Sequence, residues 1–314
     1  MYKGFTKARH SAMRICTFRL RGEDETKSRV GLVSRGRVAE TTERISMLEL
    51  LDGGPDAWSR LEPTSVRYSR GVLLSAPLPR PRKILAAIVN TRGMLGGDVT
   101  LDRPRVDMKA PSAVIGPGQA IEGRGSAVRP EVELAAVVGL KLARASVEEA
   151  KGAIFGYTVL NDVTAPRDSR EDAYQAYRRD QVSGELKKAT LRGPLFRSKN
   201  HDTFCPMGPW VVTADELGGT TRLRMTTRYR GRLVQDGSTA EYIFTPEKLV
   251  SYISSFLTLE AGDVVSCGSV GWTRRALGGL DPTEYVCKPG SGLLELTIAG
   301  IGTLKNPLVG AKTT

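Results

Sequence analysis

The sequence predicts an α+β fold that is mostly β, with a small N-terminal α/β domain ahead of a larger one. Three observations carry this expectation: short strands alternating with turns near the start, continuous apolar runs beyond residue 83, and only three stretches of helical character. The 314 residues suffice for one large domain or two smaller ones.

Taken in order, residues 1–12, "MYKGFTKARHSA", are basic and lack an apolar core, so they are expected to form a disordered extension. "RICTFRL" and "SRVGLVSRGRVAE" read as strands, and "RISMLELLDGG" as a helix stopped by its Gly pair. These make an N-terminal domain over residues 13–76, followed by a Pro-rich linker, "SAPLPRPRK". The larger domain covers 83–314, where "KILAAIVN", "VELAAVVGL", "AIFGYTVLNDV", "PWVVT", "RLRMTTRYRG", "DVVSCG" and "GLLELTIAGIG" read as strands. Several are apolar throughout, as expected for strands buried on both faces. "SVEEAKGAI" opens with a capping box from Ser146 to Glu149, and "TPEKLVSYISSFL" has Pro246 in its first turn; both read as helices.

Composition narrows the function. No apolar run approaches the ~20 residues of a membrane span. Cys16, Cys205, Cys267 and Cys287 are widely spaced, which points to neither a zinc site nor a disulfide framework, and a cytoplasmic location is the natural reading. The net charge of +12 raises nucleic acid as a partner, but the basic residues are dispersed and no recognition helix or aromatic-basic interleaving stands out. A solvated basic surface, or a field favouring small anionic substrates, fits better.

One stretch departs from this plain picture. "RPEVELAAVVG" sets Glu131 and Glu133 two apart at the mouth of an apolar strand, where they share a face. "GYTVLNDVTAPRD" likewise ends an apolar strand in Asn161 and Asp162. Three carboxylates at strand ends are the oxygen donor set of a hard divalent cation; without one they repel, and one takes up a proton. The competing reading is a strand end fraying into solvent.

These segments, with "RSKNHDTFCPMGPWVV", "RGRLVQDGST" and "LEAGDVVSCGS" in the same order, resemble the fumarylacetoacetate hydrolase family over about residues 83 to 310. The N-terminal part resembles the leading domain of that family's shorter bacterial members. The resemblance implies a mixed β-sandwich roll, a homodimer, and Mg²⁺ or Mn²⁺ held by Glu131, Glu133 and Asp162. It implies that Lys199 lies beside the metal and that Lys109 matches the lysine of an F-x-K segment, with Asp107 in place of the aromatic. Gln235 matches a substrate-contacting glutamine, Arg230 replaces the Asn usual in that segment, and Ser269 stands where the family offers a Thr hydroxyl to a carboxylate. Each could instead be an ordinary surface residue.

The sequence also breaks the family pattern. The hydrolases carry N-Y-x-x-H-x-x-E, whose His and Glu activate water; alignment on Asn90 places Thr91, Met94 and Gly97 at the Tyr, His and Glu positions. The chain has two histidines, His10 and His201, and His201 could serve as a substitute base or be a locally bonded loop residue. Pro166 splits the family's T-A-R-D, and the long charged segment after it reads either as a wall of the site or as a partner-facing or disordered loop. The expected activity is therefore a metal-dependent isomerase, tautomerase or decarboxylase acting on a 2-oxo or β-diketo acid through an enolate. A C–C hydrolase with a replacement base and a catalytically inactive metal-binding homologue are the alternatives.

Overall fold

The structure is a computed structural model that describes residues 13–95, 101–123, 127–191, 193, 195–280, 285–290 and 292–310. The expected extension over 1–12 and the position of Gly97 lie outside the described residues.

Two large sheets face one another. The first has twelve strands; the main path runs Pro63–Tyr68, Arg37–Thr41, Arg29–Ser34, Arg14–Leu20, Cys205–Thr213, Ile154–Asn161, Val132–Val138, Val264–Ser269, Ile84–Ala87 and Val106–Lys109. Val72–Ser75 adds to the Arg14–Leu20 strand, and Val114–Ile115 runs parallel to Cys205–Thr213. The second sheet has five strands, in the order Arg232–Ser238, Arg224–Tyr229, Gly292–Ile298, Gly302–Val309 and Ile121–Glu122. Most pairs are antiparallel, while Val264–Ser269 runs parallel to Ile84–Ala87. The result is the mixed, sandwich-like, mostly β arrangement that the sequence predicts.

The continuous apolar strands have two buried faces, as expected. Along Val132–Val138, Leu134, Ala136 and Val138 join a core with Leu294, Leu296 and Ile298 of the second sheet. Ala135 and Val137 point the other way and pack with Met47, Leu50, Leu51 and Trp58 from the N-terminal part. Every residue of the strand is buried, so each side chain needs an apolar partner or a saturated polar one.

Residues 13–76 are hydrogen-bonded into the first sheet. Arg14 and Ile15 pair with Val212 and Val211, and Met13 N–H donates to Thr213 Oγ1 at 3.0 Å. The predicted helix near residue 47 spans Met47–Asp52 under a full capping box from Ser46, and Gly54–Ser59 continues after it. Val147–Ala153 carries the predicted Ser146–Glu149 capping box, and Pro246–Ser254 starts on its proline. No helix among the described residues is long and apolar enough to cross a membrane.

The segment after Pro166 contains a separate two-stranded ribbon, Tyr174–Arg179 against Leu186–Leu191. Sequence reading misses it because neither face alternates apolar with polar. Tyr174, Tyr177, Val182 and Leu186 are all exposed.

Candidate metal centre

The acidic centre forms where two neighbouring strands of the first sheet meet. Val132 pairs with Asn161 and Glu133 with Leu160, so Glu131, Glu133 and Asp162 stand at the same end. Strand parity puts both glutamates on the face of Ala135 and Val137, and Asp162 on the face of Leu160 two residues earlier. Asp162 N–H donates to the Glu131 carbonyl at 3.0 Å, and Glu131 N–H donates to Asn161 Oδ1 at 3.0 Å. The three carboxylates each offer an oxygen within 4.8 Å of the others, and all three side chains are buried. The strand end does not fray into solvent.

Two lysines balance most of this charge. Lys199 Nζ donates to Asp162 Oδ2 at 2.5 Å, Thr164 Oγ1 at 3.0 Å and Glu131 Oε2 at 3.3 Å. Its three N–H groups are thereby used. Lys109 is fully buried; its Nζ donates to the Lys199 carbonyl at 2.5 Å and lies 2.8 Å from Asp162 Oδ1. That approach is out of line for a hydrogen bond, so Asp162 Oδ1 has a charge beside it but no aligned donor.

Glu133 is held differently. Its Oε2 accepts from Ser266 Oγ at 2.6 Å and from Gly268 N–H at 3.1 Å. Gly268 is at φ +95°, and a Cβ there would meet Asn90 Cβ at 2.7 Å, so only glycine brings its N–H to Glu133.

The electrostatics follow from counting. Three carboxylates and two ammonium groups leave one negative charge in a space nearly free of water. Burial, then Asp162, then Glu131 push the Glu133 carboxyl up to about 8. Burial also disfavours the Asp162 charge, yet Lys109 and Lys199 outweigh it and hold Asp162 down at about 2. For Lys199 burial again opposes the charge, and Asp162 and Glu131 reverse it, raising the ammonium above its ordinary value. The centre thus takes one proton on Glu133 where a cation could bring the balancing charge. Oxygen donors, an unaligned acceptor on Asp162 and a raised Glu133 all fit a hard divalent ion.

The remaining predicted residues divide into two groups. Gln235 and Ser269 are buried beside the centre: Gln235 Oε1 accepts from Val132 N–H at 3.1 Å, and Ser269 is the strand partner of Glu133. His201 and Arg230 have no described hydrogen bond to the acidic cluster. His201 Nε2 forms a short contact with Asp168 Oδ2, and its ring meets Phe204 edge-on at 5.0 Å. Arg230 is exposed in the turn after Tyr229–its guanidinium 5.2 Å from the Tyr229 ring.

Sequence reasoning missed Ser266 and Thr164, and noted Asn161 and Thr91 without giving either a part in the site. Thr91 Oγ1 donates to the Ser269 carbonyl at 2.8 Å. Asn90 accepts from Phe244 N–H and donates to the Phe244 and Cys267 carbonyls, which anchors the end of its strand. A polar residue ending an apolar run was the available signal, and it was read only for the carboxylates.

Comparison with known proteins gives this geometry a context. The fumarylacetoacetate (FAA) hydrolase C-terminal family matches residues 92–309. The oxaloacetate tautomerase YisK of Bacillus subtilis (strain 168) is 32% identical over 245 residues, covering 76% of this chain and 73% of that protein. The mitochondrial oxaloacetate tautomerase fahd2 of Xenopus laevis is 31% identical over 272 residues, 84% of this chain and 78% of that one. Among solved structures, the fumarylacetoacetate hydrolase of psychrophilic Exiguobacterium antarcticum superposes with a TM-score of 0.75 at 27% identity, covering 96% of this chain and 100% of that chain. With its fold, its acidic centre and these relatives taken together, the chain belongs to the fumarylacetoacetate hydrolase family.

Proposed function

We propose that the chain is a divalent-metal-dependent enzyme that interconverts keto and enol forms of a small 2-oxo acid of the oxaloacetate class. The observation that carries this reading is the acidic centre itself: three convergent buried carboxylates whose flanking lysines are both committed as ammonium groups. Glu131, Glu133 and Asp162 would hold Mg²⁺ or Mn²⁺, and the bound ion supplies Lewis-acid polarisation of the substrate's 2-oxo group.

The chain's own residues then have separate tasks. Lys199 spans Asp162 and Glu131 and keeps their oxygens turned toward one another. Lys109 fixes the Lys199 backbone and adds positive charge next to Asp162. Neither lysine has a free lone pair, so neither is a base. Tautomerisation moves one proton off C3 and one onto the 2-oxygen, and it consumes no water. It therefore needs no base poised on a water, in keeping with Met94 at the position of the family's His.

A second reading, C–C hydrolysis, is favoured by one observation: Asp168 orients the His201 ring as a carboxylate orients a general-base imidazole. The test is to strip the protein of metal, restore Mn²⁺, and follow oxaloacetate in D₂O by proton NMR and enol absorbance, with Glu133→Gln as control. Metal-dependent deuterium uptake at C3 that is lost in the control is expected. No exchange beyond the control overturns the tautomerase reading. Release of a cleaved acid from an acylpyruvate moves the assignment to hydrolysis.

A further inference from the structure

The Gln235 carboxamide makes four hydrogen bonds and none is spare. Its Oε1 accepts from Val132 N–H at 3.1 Å and Thr227 Oγ1 at 2.7 Å. Its Nε2 donates to Val270 O at 2.7 Å and Ser269 Oγ at 3.0 Å. The amide cannot be turned over, because a backbone N–H only donates and a backbone carbonyl only accepts. Two lone pairs and two N–H groups are thus all used, and the side chain is fully buried. Gln235 has nothing left to offer a substrate.

Its effect passes to Ser269. With Nε2 donating to it, Ser269 Oγ is an acceptor on the Gln235 side, and its own O–H must point elsewhere. Among the described residues that O–H has no acceptor. Ser269 sits opposite Glu133 in the strand pair, and Thr91 holds its carbonyl at 2.8 Å. We propose that Gln235 is a positioning residue that fixes the polarity of Ser269, leaving its hydroxyl as a ready donor to the carboxylate of a ligand seated beside Glu133. This rests on the 2-oxo acid reading and deepens it. The same amide reaches from the second sheet to the backbone between Glu131 and Glu133, so one side chain registers both the acidic centre and the donor.

Gln235→Glu tests the idea, because a carboxylate keeps both accepting roles and loses both donating ones. Ser269 would then turn its O–H inward onto the new acceptor. The probe is oxalate, titrated calorimetrically into protein saturated with Mn²⁺. Ser269→Ala and Gln235→Glu are each expected to weaken oxalate about tenfold or more, the scale of one hydrogen bond to a charged acceptor. The double variant should bind within about twofold of Ser269→Ala alone, since the second change has no hydroxyl left to misdirect. Ser269→Thr should retain wild-type affinity. A merely structural glutamine would give additive losses, and additivity overturns the proposal. So does wild-type oxalate affinity in Ser269→Ala. If Gln235→Glu does not fold, Gln235→Met removes the donor without adding charge and is read by the same cycle. Failure of wild-type protein to bind oxalate, with Mn²⁺ bound, overturns the 2-oxo acid reading instead.

Discussion

The acidic centre and the Tyr174–Leu191 ribbon are both polar, and they are built in opposite ways. The centre's hydrogen bonds join distant parts of the chain: Lys199 to Asp162 spans 37 positions, Gln235 to Val132 spans 103 and Ser266 to Glu133 spans 133. The ribbon's are local. Gln175 meets Thr190 15 positions away, and Asp180 closes the turn on Val182 and Ser183. Water can replace any bond in the ribbon and almost none in the centre. The difference teaches that a charged group weighs on this fold according to what would replace its partner, not according to its charge.

The comparison breaks most visibly at Asp162. Asp162→Ala removes the one carboxylate that both Lys109 and Lys199 touch, and so strips two buried ammonium groups of their shared partner. Removing one member of such a buried network costs about 3–5 kcal/mol, so urea denaturation should show a shift of that size and Mn²⁺ titration should show no binding. A loss below about 1 kcal/mol would mean that water reaches the lysines and the centre is less closed than described.

Acidity sharpens the same contrast. Glu133 titrates near 8 in the folded chain against 4.5 for an ordinary carboxyl, so the metal-free fold holds more protons than the unfolded chain between those values. Metal-free stability should therefore fall as pH rises from 4.5 toward 8. Asp162 acts in the opposite sense: its contribution is present above 3.8 and is lost as pH falls toward 2. Mn²⁺ must displace the Glu133 proton, so its affinity should climb about tenfold per pH unit up to about 8. Glu133→Gln should bind Mn²⁺ at least about 100-fold more weakly and lose the fall in metal-free stability. A pH-independent affinity would contradict the protonated Glu133.

The smallest effect belongs to the ribbon. Tyr177 is 71% exposed, and Tyr177→Ala should change stability by less than about 0.5 kcal/mol and leave Mn²⁺ affinity unchanged. A larger loss in thermal unfolding would show that the ribbon is covered in solution.

Legibility in the sequence follows the same division, with one inversion. The helix cap at Ser146 was legible because it is settled within four residues, and the equally local box from Ser46 to Glu49 was passed over. The strands carrying Glu131, Glu133 and Asp162 were legible as apolar runs, and the acidic triad as part of the family motifs. What no spacing reveals is that Gln235 is saturated, since its four partners lie on three separate segments, at Val132, Thr227 and Ser269–Val270. His201 is a similar case: Asp168 lies 33 positions earlier, and no local pattern announces the pair. The ribbon inverts the rule. It is entirely local yet escaped notice, because the periodic signal of a strand comes from burying one face, and this ribbon buries neither.

The pairing of Arg14–Leu20 with Cys205–Thr213 has a consequence for handling the protein. The latter strand spans nine residues and all but Trp210 are buried. A shortened chain beginning near Lys83 would strip the end of that strand, Val211 to Thr213, of its partners and leave unpaired N–H and C=O groups there, while Val114–Ile115 would still pair with Cys205 and Pro206. Such a margin recruits strands from other molecules. The N-terminal segment thus carries the sheet on from Cys205–Thr213 to Pro63–Tyr68, and trimming it would move the sheet's margin inward onto a buried apolar strand.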